Sequence, residues 1–270
     1  MKKLKVGIIG CGVIGSALAK AIEEKFSHSA NLIAVSELDK VKAAKLVSSL
    51  TSKPGLLSIE KLINVSNLII EAASKDISAD IAYRALSAGK DVMLMSAGGL
   101  VGREDILRLA DQKSCRLYIP SGALCGLDGI KAASIGRISS VALTTRKPPL
   151  GLEGAPYVVE NRIDLSAIKQ ETVLFEGTVL EAVQGFPKNI NVSAALSLAG
   201  IGPVKTKVKI ITSPEYENNS HEVEARGEFG TLITRTENLP SPQNPKTSFL
   251  AVLSATATLK QILEYTKIGT

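Results

Sequence analysis

The sequence predicts an α/β protein: a parallel sheet covered by helices on both faces, followed by a second domain of α+β type. Three observations carry that prediction. Over residues 1–120, short runs that are apolar throughout alternate with helix-period segments. A three-glycine turn, "GIIGCGVIG", joins the first such run to the first helix. After Pro120 the rhythm changes to longer stretches that alternate polar and apolar residues, the mark of sheets with one wet face.

The elements follow in order. "KVGIIG" is a strand, and "SALAKAIEEKF" a helix with Leu18, Ile22 and Phe26 at helical spacing. "LIAVSE" and "DKVKAAKLVSSL" form the next strand and helix. "SIEKLINV" is a short helix, "NLIIEAA" a strand, and "SADIAYRALSAG" a helix ended by Gly89. "DVMLMSA", "REDILRLADQ" and "CRLYIP" give strand, helix, strand. Beyond Pro120, "LDGIKAASIG" reads as a helix, and "SSVALTTRK", "VKTKVKIITS" and "HEVEARGEFGTLITRTEN" as antiparallel strands. "NINVSAALSLAG" is an apolar helix between them. A turn-like "PSPQNPKTS" precedes a final helical segment. The expected division is one domain over 1–120, a second over 121–244, and a last helix within 245–270 that returns to the first.

Composition limits the function classes. The chain has 270 residues, of which 45% are hydrophobic, enough for an ordinary packed core. No apolar run is long enough to span a bilayer. The basic start "MKKLK" runs into the glycine turn without a small-residue cleavage site, so no signal peptide is read there. Cys11, Cys115 and Cys125 are odd in number and lack paired metal-ligand spacing. They point to free thiols in a reducing cytoplasm and to no metal site. The net charge of +6 is scattered rather than gathered on one element, which argues against nucleic acid and suits an anionic small ligand.

Gly10, Gly12 and Gly15 match the three roles of a dinucleotide-binding (Rossmann-type) turn. The first makes the tight turn, the second lets a pyrophosphate approach the backbone, and the third lets helix pack on strand. Val13 and Ile14 lie in that turn, where bare N–H groups at the start of the helix face phosphate oxygens. Glu37 ends the second strand at the distance expected for a carboxylate that holds the ribose hydroxyls. A carboxylate repels a 2′-phosphate, so NAD is favoured, with NADP left open. The plainer alternatives are a glycine turn needed only for packing and a solvated Glu37 at a strand end. Two further strand ends carry small residues, Ala72, Ala73 and Ser74, then Ser96 and Ala97 ahead of Gly98 and Gly99. Ser121, Gly122 and Ala123 follow the last strand of the first domain. Together they outline a crevice in which a flat nicotinamide lies against backbone.

In this order, "GCGVIG", "EAAS", "IPSGALCGLDGI", "FPKNINVSAALSLAGIG", "HEVEARGEFG" and "NPKTSFLAVLSA" resemble the L-aspartate dehydrogenases. The likeness covers nearly the whole chain, and the fourth and fifth stretches are its specific part. It implies oxidation of L-aspartate to iminoaspartate with NAD or NADP. The imine then yields oxaloacetate and ammonia or feeds pyridine nucleotide biosynthesis. It implies His221 as the catalytic histidine, and Asn191 and Ala123 as cofactor contacts, with Asn191 also at the substrate. Cys125 stands where a smaller residue is expected.

The chemistry of amine oxidation agrees with that role for His221. A neutral amine is needed before hydride leaves, and the imine needs an activated water; one group titrating near neutrality serves both. The other histidine, His28, lies in a polar loop and reads as solvated. A dicarboxylate also needs cations. Arg146, Lys147, Lys188 and Lys246 are available in the second domain, each singly readable as a surface charge. Lys246 with Thr247 is preferred, because the last segment returns towards the crevice there and a helix start would aid a carboxylate. Two rivals stay open: a homoserine-dehydrogenase-like or other amino-acid dehydrogenase, and a non-catalytic NAD(H)-binding regulator. The wet-faced strands also predict a homodimer or larger homo-oligomer.

Overall fold

The computed structural model describes residues 3–187 and 190–269, without the side chains of residues 245 and 246. The chain divides into two compact units. The first runs to Pro120 and takes in Val252–Lys267; the second is built on Ser121–Ala251.

The first unit alternates strand and helix. It contains β1 (Leu4–Ile9), α1 (Val13–Glu24), β2 (Ala30–Ser36), α2 (Lys40–Ser49), β3 (Gly55–Leu56) and α3 (Ile59–Val65). It continues through β4 (Leu68–Glu71), α4 (Lys75–Ser87), β5 (Asp91–Leu94), α5 (Glu104–Gln112) and β6 (Leu117–Tyr118). The strands form one sheet in the order β3-β2-β1-β4-β5-β6, and every neighbouring pair is parallel. The unbroken apolar runs are explained by burial on both sides: every residue of β4 is buried. Side chains set the helix starts, with Asp39 accepting from the Val41 and Lys42 amides and Ser58 from the Lys61 amide. The strand order reverses between β1 and β4, the switch point at which such sheets open a ligand crevice.

The second unit contains α6 (Leu127–Ala133), β7 (Ile138–Lys147), α7 (Pro156–Glu160), β8 (Thr172–Thr178), α8 (Val179–Gly185), α9 (Asn191–Ala199) and β9 (Lys207–Thr212). It goes on to β10 (Asn219–Gly227), β11 (Gly230–Asn238), β12 (Pro240–Ser241) and β13 (Asn244–Ser248); α10 (Phe249–Leu263) follows. The main sheet has the order β11-β10-β7-β9-β8.

Three expectations are corrected here. The sheet is mixed, because β7 and β9 pair in parallel. Parallel pairing needs a long crossover, and the segment between these strands supplies it with α7, β8, α8 and α9. The strand β8, in "TVLFEGT", is an addition to the expected elements; it pairs antiparallel with β9 across a register shift. Residues 244–248 are strand, not turn: β13 pairs with β12 in a two-stranded ribbon. The last helix accordingly starts at Phe249, and Ala255 and Leu259 pack into the first unit's core with Leu18, Ile22 and Phe26.

Candidate active site

The glycine turn joins β1 to α1. Gly10 has φ +99, and a Cβ there would lie 2.5 Å from the Ala72 carbonyl oxygen. A Cβ on Gly15 would overlap the Gly10 carbonyl oxygen. Packing alone therefore requires these two glycines. Gly12 differs: its φ is ordinary, and a Cβ there would meet no protein atom within 4 Å. It is also the N-cap of α1, where no side chain caps the helix and no acid sits in the first turn. The N–H groups at Val13, Ile14 and Gly15 thus belong to a helix start free of competing carboxylates. This cradle fits a pyrophosphate.

Glu37 lies at the carboxyl end of the β2 segment and reaches back to the turn. Its Oε2 accepts from the Cys11 amide at 2.8 Å, and Oε1 from the Leu38 and Asp39 amides at 2.8 and 3.1 Å. Partial burial works against the charge. The three amides and Lys42 outweigh it and hold the carboxyl below the usual range. The group is a fixed anion at the edge of the crevice. Burial, with Glu37 nearby, pushes the Cys11 thiol up to about 11, so it is inert.

The strand ends after β4 and β5 are tied together by Glu71. This residue is fully buried. Its Oε1 accepts from the Ala73 amide and the Ser96 hydroxyl, and its Oε2 from the Ser96 amide, each at 2.9 Å. Ser74 opens α4, and the Ser78 hydroxyl one turn later donates to the Ser96 carbonyl at 3.0 Å. Ala97 starts the short 3-10 turn Ala97–Leu100. The small residues expected to line the crevice are therefore on adjacent strand ends, locked by a carboxylate that sequence reading passed over. Burial raises its pKa against these hydrogen bonds.

In the second unit one face of the sheet changes character along its length. Val141 and Leu143 on β7, with Val223 and Ala225 on β10, are apolar and buried. Continuing with the same alternation, the face becomes Thr145, Lys147 and His221, all buried. Thr145 and His221 are directly paired across the strands, and the Thr145 Oγ1 to His221 Nδ1 distance is 3.0 Å. His221 is 4% exposed. Burial, and secondarily the Lys147 charge, pulls its pKa down to about 3. The ring is thus neutral, rather than titrating near neutrality as the sequence alone suggested. Burial pulls Lys147 down to about 8.

Ala123 joins this polar end. Its carbonyl accepts from Thr236 Oγ1 at 2.9 Å and from Asn238 Nδ2 at 3.2 Å, and Thr236 pairs with His221 across β10 and β11. Asn238 Oδ1 is buried without a partner, an acceptor available to a ligand donor. Ser121 and Gly122 precede Ala123, and Gly122 has φ +65. A Cβ there would lie 3.6 Å from Val192 Cγ1, so the turn abuts the first residues of α9. Asn191 is exposed at the start of that helix.

The other expected cations separate. Arg146 points to the opposite face of β7 and pairs with Glu222 at 3.4 Å. Lys188 and the Lys246 side chain lie outside the described residues. Thr247 is half-buried in β13 and, among the described residues, makes no hydrogen bond to His221, Thr145 or Ala123. The helix start expected beside Lys246 falls at Phe249 instead. His28 is exposed. Among the described residues no group of acids, histidines and cysteines is arranged to hold a metal, and no helix is long and apolar enough to cross a membrane.

A doubly wound sheet with this turn, and a second unit carrying a buried histidine, define a two-domain dehydrogenase that uses NAD or NADP. Residues 10–120 match the family model "Homoserine dehydrogenase, NAD binding domain", and residues 128–262 match "Aspartate dehydrogenase, C-terminal". An L-aspartate dehydrogenase of Methanosarcina acetivorans is 51% identical over 99% of this chain and 100% of its own. One from Bradyrhizobium diazoefficiens is 38% identical over 99% and 95%. The crystal structure of aspartate dehydrogenase from Thermotoga maritima superposes with a TM-score of 0.75 at 25% identity, covering 99% of this chain and 100% of that one. The chain belongs to the L-aspartate dehydrogenase family.

Proposed function

We propose that the protein oxidises L-aspartate to iminoaspartate with NAD, and that His221 is its catalytic residue. The observation that carries the reading is the buried, neutral His221 ring held by Thr145 at the polar end of an otherwise apolar sheet face. The bound dinucleotide supplies a hydride acceptor. With its Nδ1–H donated to Thr145 Oγ1, the ring presents Nε2 as the lone pair. That atom takes a proton from the substrate ammonium, which leaves the neutral amine that oxidation requires. The ring passes that proton to solvent, later takes one from the water that adds to the imine carbon, and returns it to the nitrogen as ammonia leaves and oxaloacetate forms; release of the imine for pyridine nucleotide biosynthesis is the other fate.

In the first unit, Gly10, Gly12, Val13, Ile14 and Gly15 are assigned to the pyrophosphate and Glu37 to the ribose. The fixed negative charge of Glu37 supports NAD over NADP. Ala72, Ala73, Ser74, Ser96 and Ala97 are assigned to the crevice wall, supported by their common anchor on Glu71. In the second unit, Ser121, Gly122, Ala123 and Asn191 are assigned to the nicotinamide end. The contact of the Gly122 turn with the start of α9 supports this. Lys246 and Thr247 are assigned to a substrate carboxylate, because their ribbon leaves β11 directly after Asn238. The free thiols of all three cysteines support a cytoplasmic setting. A second copy pairing through the second unit completes the reading; sedimentation checks it.

The test is NADH or NADPH formation from a panel of amino acids. The expected result is turnover of L-aspartate with NAD, far above L-alanine or L-homoserine. Comparable kcat/KM for L-homoserine replaces the substrate assignment. Binding of NADH without turnover of any amino acid replaces it with the regulator.

A further inference from the structure

Among the described residues, the buried side chains of acid, lysine, arginine or histidine type are Glu71, Lys147 and His221. Glu71 belongs to the first unit and accepts three hydrogen bonds there. The other two share one face of the second unit's sheet. We propose that Lys147 is a substrate-binding residue whose ammonium receives a carboxylate of the dicarboxylate beside the His221 ring. This rests on the L-aspartate reading above.

Position carries the argument. Lys147 is only 9% exposed, although a lysine at a strand end ordinarily lies in water. It is two residues from Thr145 on β7, so both point to the same face, and Thr145 sits opposite His221. Lys147 is therefore a diagonal neighbour of the histidine, within reach of a long side chain. Its backbone is fixed by the Thr212 hydroxyl, which donates to the Lys147 carbonyl at 2.8 Å. Its stem runs along Gly151, where an added Cβ would lie 3.9 Å from both Cβ and Cδ of Lys147. The backbone and the stem of Lys147 are thus held in place.

Electrostatics explain what that place does. Burial is the main cause that keeps the histidine neutral, and the charge of its diagonal neighbour Lys147 adds to it. A carboxylate arriving on the ammonium cancels that repulsion and raises the proton affinity of the ring. Substrate binding therefore strengthens the base at the moment it is needed. Among the described residues, β10 contributes His221 and Asn219, β9 contributes Thr212, and the loop after β7 contributes Gly151, while the Arg146–Glu222 pair lies on the opposite face of the sheet.

The test uses the full chain and two variants, Lys147→Met and Lys147→Arg. Melting transitions and NADH fluorescence titrations establish folding and cofactor binding. For Lys147→Met the KM for L-aspartate should rise roughly 10- to 150-fold, the effect of losing one charged hydrogen bond. Inhibition by succinate, a dicarboxylate without the amine, should weaken in parallel, and Lys147→Arg should restore part of both. A folded, NADH-binding Lys147→Met with KM and succinate inhibition within threefold of the parent overturns the proposal. If neither variant folds, the parent protein decides it. Succinate titrated into the NADH complex should bind about tenfold more weakly per pH unit above about 8, as the ammonium loses its proton. Flat binding from pH 7 to 10 overturns the assignment. A parent protein that binds succinate in this way but does not oxidise L-aspartate leaves Lys147 assigned and rejects the substrate reading.

Discussion

The two units bury ionisable groups in opposite ways. In the first, Glu71 has both oxygens engaged by donors from neighbouring strand ends. In the second, Lys147 and His221 are two basic groups on one face, and the lysine charge lowers the proton affinity of the ring. A satisfied buried carboxylate fixes a shape; two adjacent buried bases create a site whose protonation depends on what enters it. The first unit matches an NAD-binding domain, and under the proposal above the second responds to charge.

Substitution of His221 gives the largest expected effect. His221→Ala should fold and bind NADH, because the glycine turn lies in the other unit, while kcat for L-aspartate falls roughly 10²–10⁴-fold. A histidine that only packs would instead lower the melting temperature and leave turnover per folded molecule near normal. The same residue sharpens the comparison through pH. Its pKa is about 3 in the folded protein against 6.5 for the free side chain. Between those values the unfolded chain binds the extra proton, so stability falls as pH drops from 6.5 towards 3 and is unaffected above. The slope attributable to one proton is about 1.4 kcal/mol per pH unit at most. His221→Asn should remove it from acid denaturation curves; an unchanged curve contradicts the buried neutral ring.

Glu71→Gln tests the opposite kind of site. An amide places an NH2 group against the Ser96 or Ala73 N–H, so one donor loses its acceptor. The expected cost is roughly 1–3 kcal/mol in chemical denaturation, with weaker NADH binding and kcat at saturating cofactor nearly unchanged. A loss of kcat alone would make Glu71 part of the chemistry. The narrowest effect is expected at the crevice edge, where it falls on cofactor choice alone. Glu37→Ala should weaken NAD by about 1–3 kcal/mol and NADP by less, read from kcat/KM with each cofactor. Equal losses would leave Glu37 only the task of bracing the turn through the Cys11 amide.

The glycine turn was legible because its demands are local: a strand, a tight turn and a helix within nine residues, "GIIGCGVIG". Glu71 was hidden in "EAAS", where the small residues drew the reading and two of the carboxylate's three hydrogen bonds come from Ser96, at a strand end 25 positions away. Lys147 was named among the candidate cations but not preferred, because it stands beside Arg146 in "TTRK". In a strand two adjacent cations take opposite faces, and neither names its own. The signal was nonetheless present. Lys147 keeps the parity of Val141, Leu143 and Thr145, the apolar parity of that strand. The parallel pairing of β7 with β9 depends on the crossover between them, which no alternation pattern records.

The packing of α10 has a consequence for how the molecule is made. Ala255 and Leu259 are fully buried in the same cluster as Leu18, Ile22 and Phe26. A chain emerging from the ribosome has Ser121–Ala251, nearly all of the second unit, ahead of most of this helix, so that unit is free to fold while the first is still missing part of its core. The order of birth and the order of completion are therefore reversed. The first unit is the last to close: its α1 face packs with β1, β2 and β4 of its own sheet but lacks Ala255 and Leu259, more than two hundred positions downstream.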